Sequence, residues 1–182
     1  IIGNKVIFVG GDGFVYCLSR NGKLIWFYNL DGTGHLSKYI KLFKYIIHLP
    51  YTLDLNRKKN ITYKSWCCPN EHNGFIYVMG YSTGVYCLDL NGKFIWSFDL
   101  GFPRYQLNGV AIDDWGNVYA SSRAGNAFKL SKDGKLIWKR KLSNKLEPWG
   151  SPSISLKHNF VFFIYSKKEK YGYIHCLNTD GE

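Results

Sequence analysis

The residues with the most reactive side chains are few and widely spaced in this chain of 182 residues. Five cysteines and five histidines are present, and none of them form pairs at the spacing of a structural zinc site. The adjacent pair Cys67 and Cys68 is the most distinctive candidate for redox chemistry. The thirteen acidic residues are dispersed, and no carboxylate pair or Ser-His-Asp set can be picked out. The residue types therefore predict no catalytic residues, no metal and no cofactor.

Three features that resemble sites have simpler structural interpretations. Asp113 and Asp114 belong to an Asp-x-x-Gly turn before a strand, so turn formation explains them better than acid–base work. The stretch GGDG at 10–13 is a predicted hairpin turn between two strands, whereas a phosphate loop joins a strand to a helix. Three cysteines occupy equivalent strand positions and are predicted to be small buried core residues: Cys17, Cys87 and Cys176.

A short motif that joins a turn to a tryptophan recurs along the chain. It reads NGKLIW from Asn21, NGKFIW from Asn91 and DGKLIW from Asp133, and DGE from Asp180 matches its start. Asn-Gly and Asp-Gly are strong signals for two-residue hairpin turns, whose central positions favour positive φ. The predicted structural residues of the repeat are its glycines and tryptophans: Gly22, Trp26, Gly92, Trp96, Gly134, Trp138 and Gly181.

The pattern around each motif predicts strands. Short β-branched and aromatic runs, separated by glycine-rich turns, predict antiparallel meanders, and helical periodicity is absent from them. The interval from Trp96 to Trp138 is 42 residues, a period typical of propeller blades. We therefore predict an all-β chain, a β-propeller of four-stranded blades with about 3.5 to 4 blades. Each repeat tryptophan is predicted to cover apolar surface between neighbouring sheets.

These repeats resemble the PQQ-like propeller repeat of quinoprotein dehydrogenases and of bacterial outer-membrane assembly lipoproteins. The similarity is carried by CPNEHNGFIYVMGYSTGVYCLDLNGKFIW (68–96) and AIDDWGNVYASSRAGNAFKLSKDGKLIW (111–138), and it extends over nearly all of the chain except 33–64. The resemblance implies the fold strongly and the function weakly, because this fold hosts enzymes, scaffolds and sensors. An extracytoplasmic location is favoured by the resemblance alone.

The resemblance also gives Cys67 and Cys68 a second interpretation. In alcohol-oxidising quinoproteins, an adjacent cysteine pair forms a strained disulfide ring stacked on the cofactor. In this chain, however, CCP (67–69) matches GSP (150–152), where small residues lead into an inner strand. We therefore expect both cysteines to be reduced and structural.

The chain is predicted to form one domain, 1–182, that is part of a larger propeller. Two blades are expected to be complete, at roughly 65–100 and 105–142. The first blade is expected to lack its inner strand and the last its outer strand, and a closed four-bladed ring is the alternative. Open blade faces are apolar and call for a protein partner or a second copy of the chain.

The net charge of +11 is concentrated in an insertion, 33–64, between the first and second blades. This segment carries seven Lys/Arg residues against Asp54 alone, which gives it +6 of the +11 charge. Because the basic charge belongs largely to one segment, a nucleic-acid-binding scaffold is not indicated. Its HLSKYIKLFKYIIHL stretch (35–49) suits a basic amphipathic helix that packs on the propeller, docks a partner or contacts an anionic membrane surface. The candidate partner contacts are Lys38, Lys41, Phe43, Lys44, Arg57, Lys58 and Lys59.

The favoured function is a non-enzymatic scaffold for protein–protein interaction. One alternative is the luminal or extracytoplasmic stress-sensor domain of a transmembrane kinase, which would use related β repeats to dimerise. The other is a fragment of a quinone-dependent dehydrogenase.

Overall fold

The computed structural model describes four antiparallel sheets, in residues 1–10, 13–30, 67–80, 84–101, 108–144, 147–167 and 171–182. The 33–64 insertion, its predicted helix and its seven candidate partner contacts lie outside these residues. The first sheet has three strands in the order of the chain: β1 (Lys5–Val9), β2 (Phe14–Ser19) and β3 (Leu24–Asn29).

The second and third sheets each have four strands that follow one another in chain order. The second sheet contains β4 (Asn70–His72), β5 (Phe75–Gly80), β6 (Gly84–Asp89) and β7 (Phe94–Phe98). The third contains β8 (Ala111–Ile112), β9 (Val118–Ser122), β10 (Asn126–Leu130) and β11 (Leu136–Lys141). Both are the four-stranded meanders that the repeat predicts.

The fourth sheet contains β12 (Glu147–Pro148), β13 (Ser153–Ser155), β14 (Phe160–Lys167) and β15 (Tyr171–Asn178). The strand β15 pairs with β14 along its whole length, so the short strands β12 and β13 share the other edge of β14. A 3₁₀ turn at Leu156–His158 connects β13 to β14.

The alternation of side chains along each strand sends one set to each face of its sheet. We call the face turned toward the next sheet in the chain the following face, and the other the preceding face. In the second sheet, Tyr77, Cys87 and Trp96 stand opposite one another on the following face. The ring of Phe98 from this face meets that of Phe128 in the third sheet, with centroids 6.2 Å apart.

The core is formed where consecutive sheets face each other. One cluster of buried residues joins the first three sheets, and a second joins the third sheet to Val161, Phe163 and Tyr165 of the fourth. The nearly all-β fold is therefore confirmed: four sheets of three or four strands, consistent with part of a propeller of four-stranded blades. In the described part of the chain, no helix is long and apolar enough to cross a membrane.

Candidate interaction surface

The repeated tryptophan joins each sheet to the turn of the next one. The Nε1–H of Trp26 donates to the carbonyl of Leu90 at 3.0 Å, and that of Trp96 donates to the carbonyl of Lys132 at 2.9 Å. Trp138 donates in the same way to the carbonyl of Thr179 at 3.0 Å. In each case the acceptor lies two residues before the turn glycine. The repeated turn and the repeated tryptophan are thus the two halves of one joint, which we call the tryptophan joint.

The turn glycine is required because the indole ring lies directly over it. A Cβ atom at Gly92 would stand 2.6 Å from the ring of Trp26, and one at Gly134 would stand 2.5 Å from the ring of Trp96. At Gly181 the corresponding distance to Trp138 is 3.0 Å. The three glycines also have positive φ, which disfavours any residue with a Cβ.

The structure places the three tryptophans between sheets with different degrees of burial. Trp138 is only 7% exposed, whereas Trp26 and Trp96 are half-buried. The ring of Trp138 meets Tyr119 of its own sheet and Phe163 of the next, with centroid distances of 6.1 and 6.5 Å. The tryptophan that contacts aromatic rings on both sides is the one that is fully covered.

A side chain three residues before each turn glycine holds the turn in place. The side-chain oxygen accepts a hydrogen bond from the backbone N–H of the residue after the glycine. The backbone carbonyl of the same residue accepts a hydrogen bond from the N–H of the glycine. Sequence reasoning missed these residues, although the aligned repeats show an oxygen-bearing side chain at every one of these positions: Ser19, Asp89, Ser131 and Asn178. Such side chains favour turns by bonding to nearby backbone groups.

No sheet in the described part of the chain covers the following face of the fourth sheet. Ile174, on β15, lies two residues before Cys176. The residues at the same position of the other three sheets are Val15, Val85 and Ala127. Those three side chains are 0% exposed, whereas Ile174 is 71% exposed. Ile164, which pairs with Ile174 across β14 and β15, is also exposed, as is Phe160. An apolar face that is buried three times in this chain is open to solvent on the fourth sheet.

The cysteines divide between buried and exposed positions. Cys17 and Cys87 lie in the core as predicted, and burial raises the pKa of both thiols, that of Cys87 to about 12. Cys176 was predicted to be buried, and this is wrong, because it lies on the uncovered face of the fourth sheet. Cys67 is buried and its thiol donates to the carbonyl of Met79 at 3.0 Å, whereas Cys68 is exposed. None of the five cysteines, all of which lie in the described residues, forms a disulfide in the structure.

Labelling of the thiols is expected to separate these two groups. At pH 8 the folded protein should react quickly with a thiol reagent at Cys68 and Cys176 only, because buried thiols are inaccessible and those with a raised pKa stay protonated. Unfolded protein should react at all five cysteines. The number of labelled thiols is measured by absorbance, and Cys176→Ser should remove one of the two fast-reacting sites. A disulfide between Cys67 and Cys68 would contradict the expectation by leaving a single fast site.

A cavity of about 330 Å³ lies beside the joint of Trp96, between the second and third sheets. Its walls include the aromatic residues Tyr77, Trp96 and Trp115, together with His72 and Asp133. Burial, followed by the neighbouring Cys87, raises the pKa of Tyr77 to about 12, so its hydroxyl stays protonated at neutral pH. Within the described ranges no group of three or more His, Cys, Asp or Glu side chains could hold a metal ion.

The chain resembles solved structures, while no protein-family model and no curated protein matches its sequence. BamB from Moraxella catarrhalis matches 99% of this chain with a TM-score of 0.64 and 15% identity, over 45% of the BamB chain. A europium-containing methanol dehydrogenase matches 62% of this chain with a TM-score of 0.54 and 20% identity, over 22% of its own chain. The computationally designed Ika4 protein matches 96% of this chain with a TM-score of 0.60 and 10% identity, over 86% of its own chain.

The chain has the fold of part of a β-propeller. It spans less than half of the BamB chain and about a fifth of the dehydrogenase chain. At these identities the likeness concerns the fold, so the function has to be argued from the surface of the chain itself.

Proposed function

We propose that this chain is a non-enzymatic β-propeller scaffold that binds a protein partner through the following face of its fourth sheet. The observation that carries the proposal is the exposure of Ile174, whose three equivalents are completely buried by a neighbouring sheet. Removing a large apolar side chain from water contributes about 1.5–3 kcal/mol, so an open apolar face favours association with a covering surface.

The chain itself shows what kind of surface covers such a face. Three times along the chain, a following face packs on the preceding face of the next sheet. A second copy of the chain presents a preceding face on its first sheet, where the half-exposed Phe8 lies. We assign a second copy as the occupant, in a head-to-tail arrangement in which the two contacting surfaces differ.

The role of the acidic turn residues supports a non-enzymatic scaffold. Asp113 accepts hydrogen bonds from the backbone N–H groups of Trp115 and Asn117, the side-chain amide of Asn117 and the hydroxyl of Tyr119. A carboxylate with both oxygens engaged in this way fixes a turn rather than exchanging protons with a substrate. Reduction of a dye by the chain with added quinone and Ca²⁺ would contradict this part of the proposal.

Replacing Ile174 by glutamate is expected to prevent self-association, because a buried unpaired carboxylate is strongly unfavourable in an apolar interface. Sedimentation velocity over a range of concentrations should show the parent chain associating and Ile174→Glu remaining monomeric. The matched control is Ile137→Glu, since Ile137 is 50% exposed on the outer strand of the third sheet and does not lie on the proposed face. A parent chain that stays monomeric, or equal association of all three proteins, would contradict the assignment.

A further inference from the structure

The joint of Trp26 binds a lysine ammonium as well as an indole. The ammonium of Lys5 donates to the carbonyl of Leu90 at 2.9 Å, and the indole Nε1–H of Trp26 donates to the same carbonyl at 3.0 Å. A carbonyl oxygen has two lone pairs and can accept both hydrogen bonds. The hydrogen bond of Lys5 is partly buried, so its ammonium is held at the joint rather than in open solvent.

The joint of Trp138 has the same arrangement, although its lysine comes from a different strand position. The ammonium of Lys129 donates to the carbonyl of Thr179 at 3.0 Å, and this carbonyl also accepts from the indole of Trp138. The same ammonium lies 5.4 Å from the centroid of the Tyr119 ring, within the range of a cation–π interaction. The chain thus supplies a primary ammonium to the carbonyl of two of its three joints.

The joint of Trp96 has no lysine at either of these strand positions. The position of Lys5 is occupied by Phe75 in the second sheet. The position of Lys129 is occupied by Cys87, which pairs with a tyrosine and a tryptophan of its own sheet as Lys129 does. The donor that the other two joints have is therefore replaced here by apolar side chains.

The cavity of about 330 Å³ beside the joint of Trp96 is lined by the two residues that replace these lysines, Phe75 and Cys87. Lys132, whose carbonyl accepts from the indole of Trp96 at 2.9 Å, lines the cavity as well. Asp133 also lines it, so its carboxylate offsets the positive charge of the neighbouring Lys132. The volume is at the lower end of the range for small-ligand sites. An ammonium that enters this cavity reaches the carbonyl that corresponds to those bound by lysine elsewhere.

The remaining walls of the cavity suit an organic cation. Tyr77, Trp96 and Trp115 line it with aromatic rings, and the rings of Tyr77 and Trp96 have centroids 6.0 Å apart and planes 58° apart. Tyr77 occupies the strand position of Tyr119, the residue whose ring interacts with the ammonium of Lys129. Aromatic rings attract a cation electrostatically and pack against its alkyl chain.

We propose that the cavity beside the joint of Trp96 binds a primary alkylammonium group from outside the chain. The ammonium donates to the carbonyl of Lys132, as the two lysines do at the other joints, and its alkyl chain lies along the rings of Tyr77 and Trp96. The group belongs to a free alkylamine or to the lysine side chain of a peptide, which share this chemistry. The site lies between the second and third sheets, so it goes beyond the self-association proposed for the fourth sheet and does not depend on it.

Two-dimensional NMR of the isotope-labelled full chain tests the site with n-butylamine at pH 7, where an alkylamine is protonated as lysine is. We expect n-butylammonium to shift the indole Nε1–H signal of Trp96 and the backbone amide signal of Asp133, with half-saturation at about 1–10 mM. The control ligands are n-butyltrimethylammonium, which has the charge but no N–H donor, and 1-butanol, which has a donor but no charge. Both should bind at least about tenfold more weakly.

A further ligand identifies the source of the ammonium. The methylamide of Nα-acetyl-lysine carries the same ammonium on a peptide backbone. Binding of this compound or of n-butylammonium in preference to the two control ligands supports the proposed site. Tighter binding of the lysine compound assigns the site to a lysine of a peptide, whereas tighter binding of n-butylammonium assigns it to a free amine.

A lysine placed in the cavity should compete with the ligand. Phe75→Lys copies the arrangement of Lys5 in the first sheet, so its own ammonium should bind the carbonyl of Lys132 and weaken binding of n-butylammonium about tenfold or more. The matched control is Leu136→Lys, which adds the same charge at a residue that is 46% exposed and does not line the cavity. It should bind n-butylammonium as the parent does. If Phe75→Lys does not fold, the control ligands still decide the question.

Three outcomes would overturn the proposal. They are the absence of shifts at Trp96 with about 50 mM of either primary ammonium, equal binding of either control ligand, and unchanged binding by folded Phe75→Lys. The Ile174→Glu variant should bind n-butylammonium unchanged, so failure of the fourth-sheet interface and failure of this site give different results.

Discussion

Replacing Trp138 by alanine is expected to lower the free energy of unfolding by about 3–5 kcal/mol, the range for large aromatic-to-alanine changes in cores. Trp138 is 7% exposed, and its indole N–H donates to the carbonyl of Thr179 in the fourth sheet. The change removes ring contacts with both Tyr119 and Phe163 and leaves a cavity between the third and fourth sheets. The fourth sheet should therefore become the least stable part of the protein.

Urea unfolding followed by circular dichroism measures this loss, and Trp115→Ala is the control. Trp115 is 72% exposed, so its replacement should change the stability by no more than about 0.5 kcal/mol. The backbone hydrogen bond from Trp115 to Asp113 does not depend on the indole and survives the change. Equal effects of the two replacements would show that Trp138 does not join the sheets in the way described.

The fold could be predicted from the sequence because the repeat determines it locally. Asn-Gly or Asp-Gly turns between short apolar runs fix hairpins without reference to distant residues. The recurrence of the motif in NGKFIW and DGKLIW then predicts identical sheets placed one after another. The same alignment contains the turn-holding residues Ser19 and Asp89, but Ser and Asp are common in turns of many kinds and do not stand out as glycine and tryptophan do.

The surface was harder to predict because residues at the same position of different repeats have different neighbours. Cys176 aligns with Cys17 and Cys87, yet it is exposed because no described sheet covers its face. Gly22 aligns with Gly92, yet among the described residues only Gly92 has an indole over it. Exposure depends on whether another sheet is present, which no local pattern records. Contact between a partner and the basic 33–64 segment remains a prediction, since that segment lies outside the described residues.

The tryptophan joint supports the fold and the arrangement of the sheets, and matched glycine variants test it most directly. Gly134 and Gly22 have the same φ of 79°, so alanine brings the same backbone strain of about 1–2 kcal/mol to both turns. Only at Gly134 would the new Cβ atom stand 2.5 Å from the ring of Trp96. Displacing that ring adds about 1–3 kcal/mol, the usual cost of overpacking.

The measurement is the difference in the free energy of unfolding between Gly134→Ala and Gly22→Ala, obtained from urea unfolding of the full chain. We expect Gly134→Ala to be less stable than Gly22→Ala by about 1–3 kcal/mol. Equal stability of the two variants would contradict the joint, because it would mean that no indole rests on the turn at Gly134.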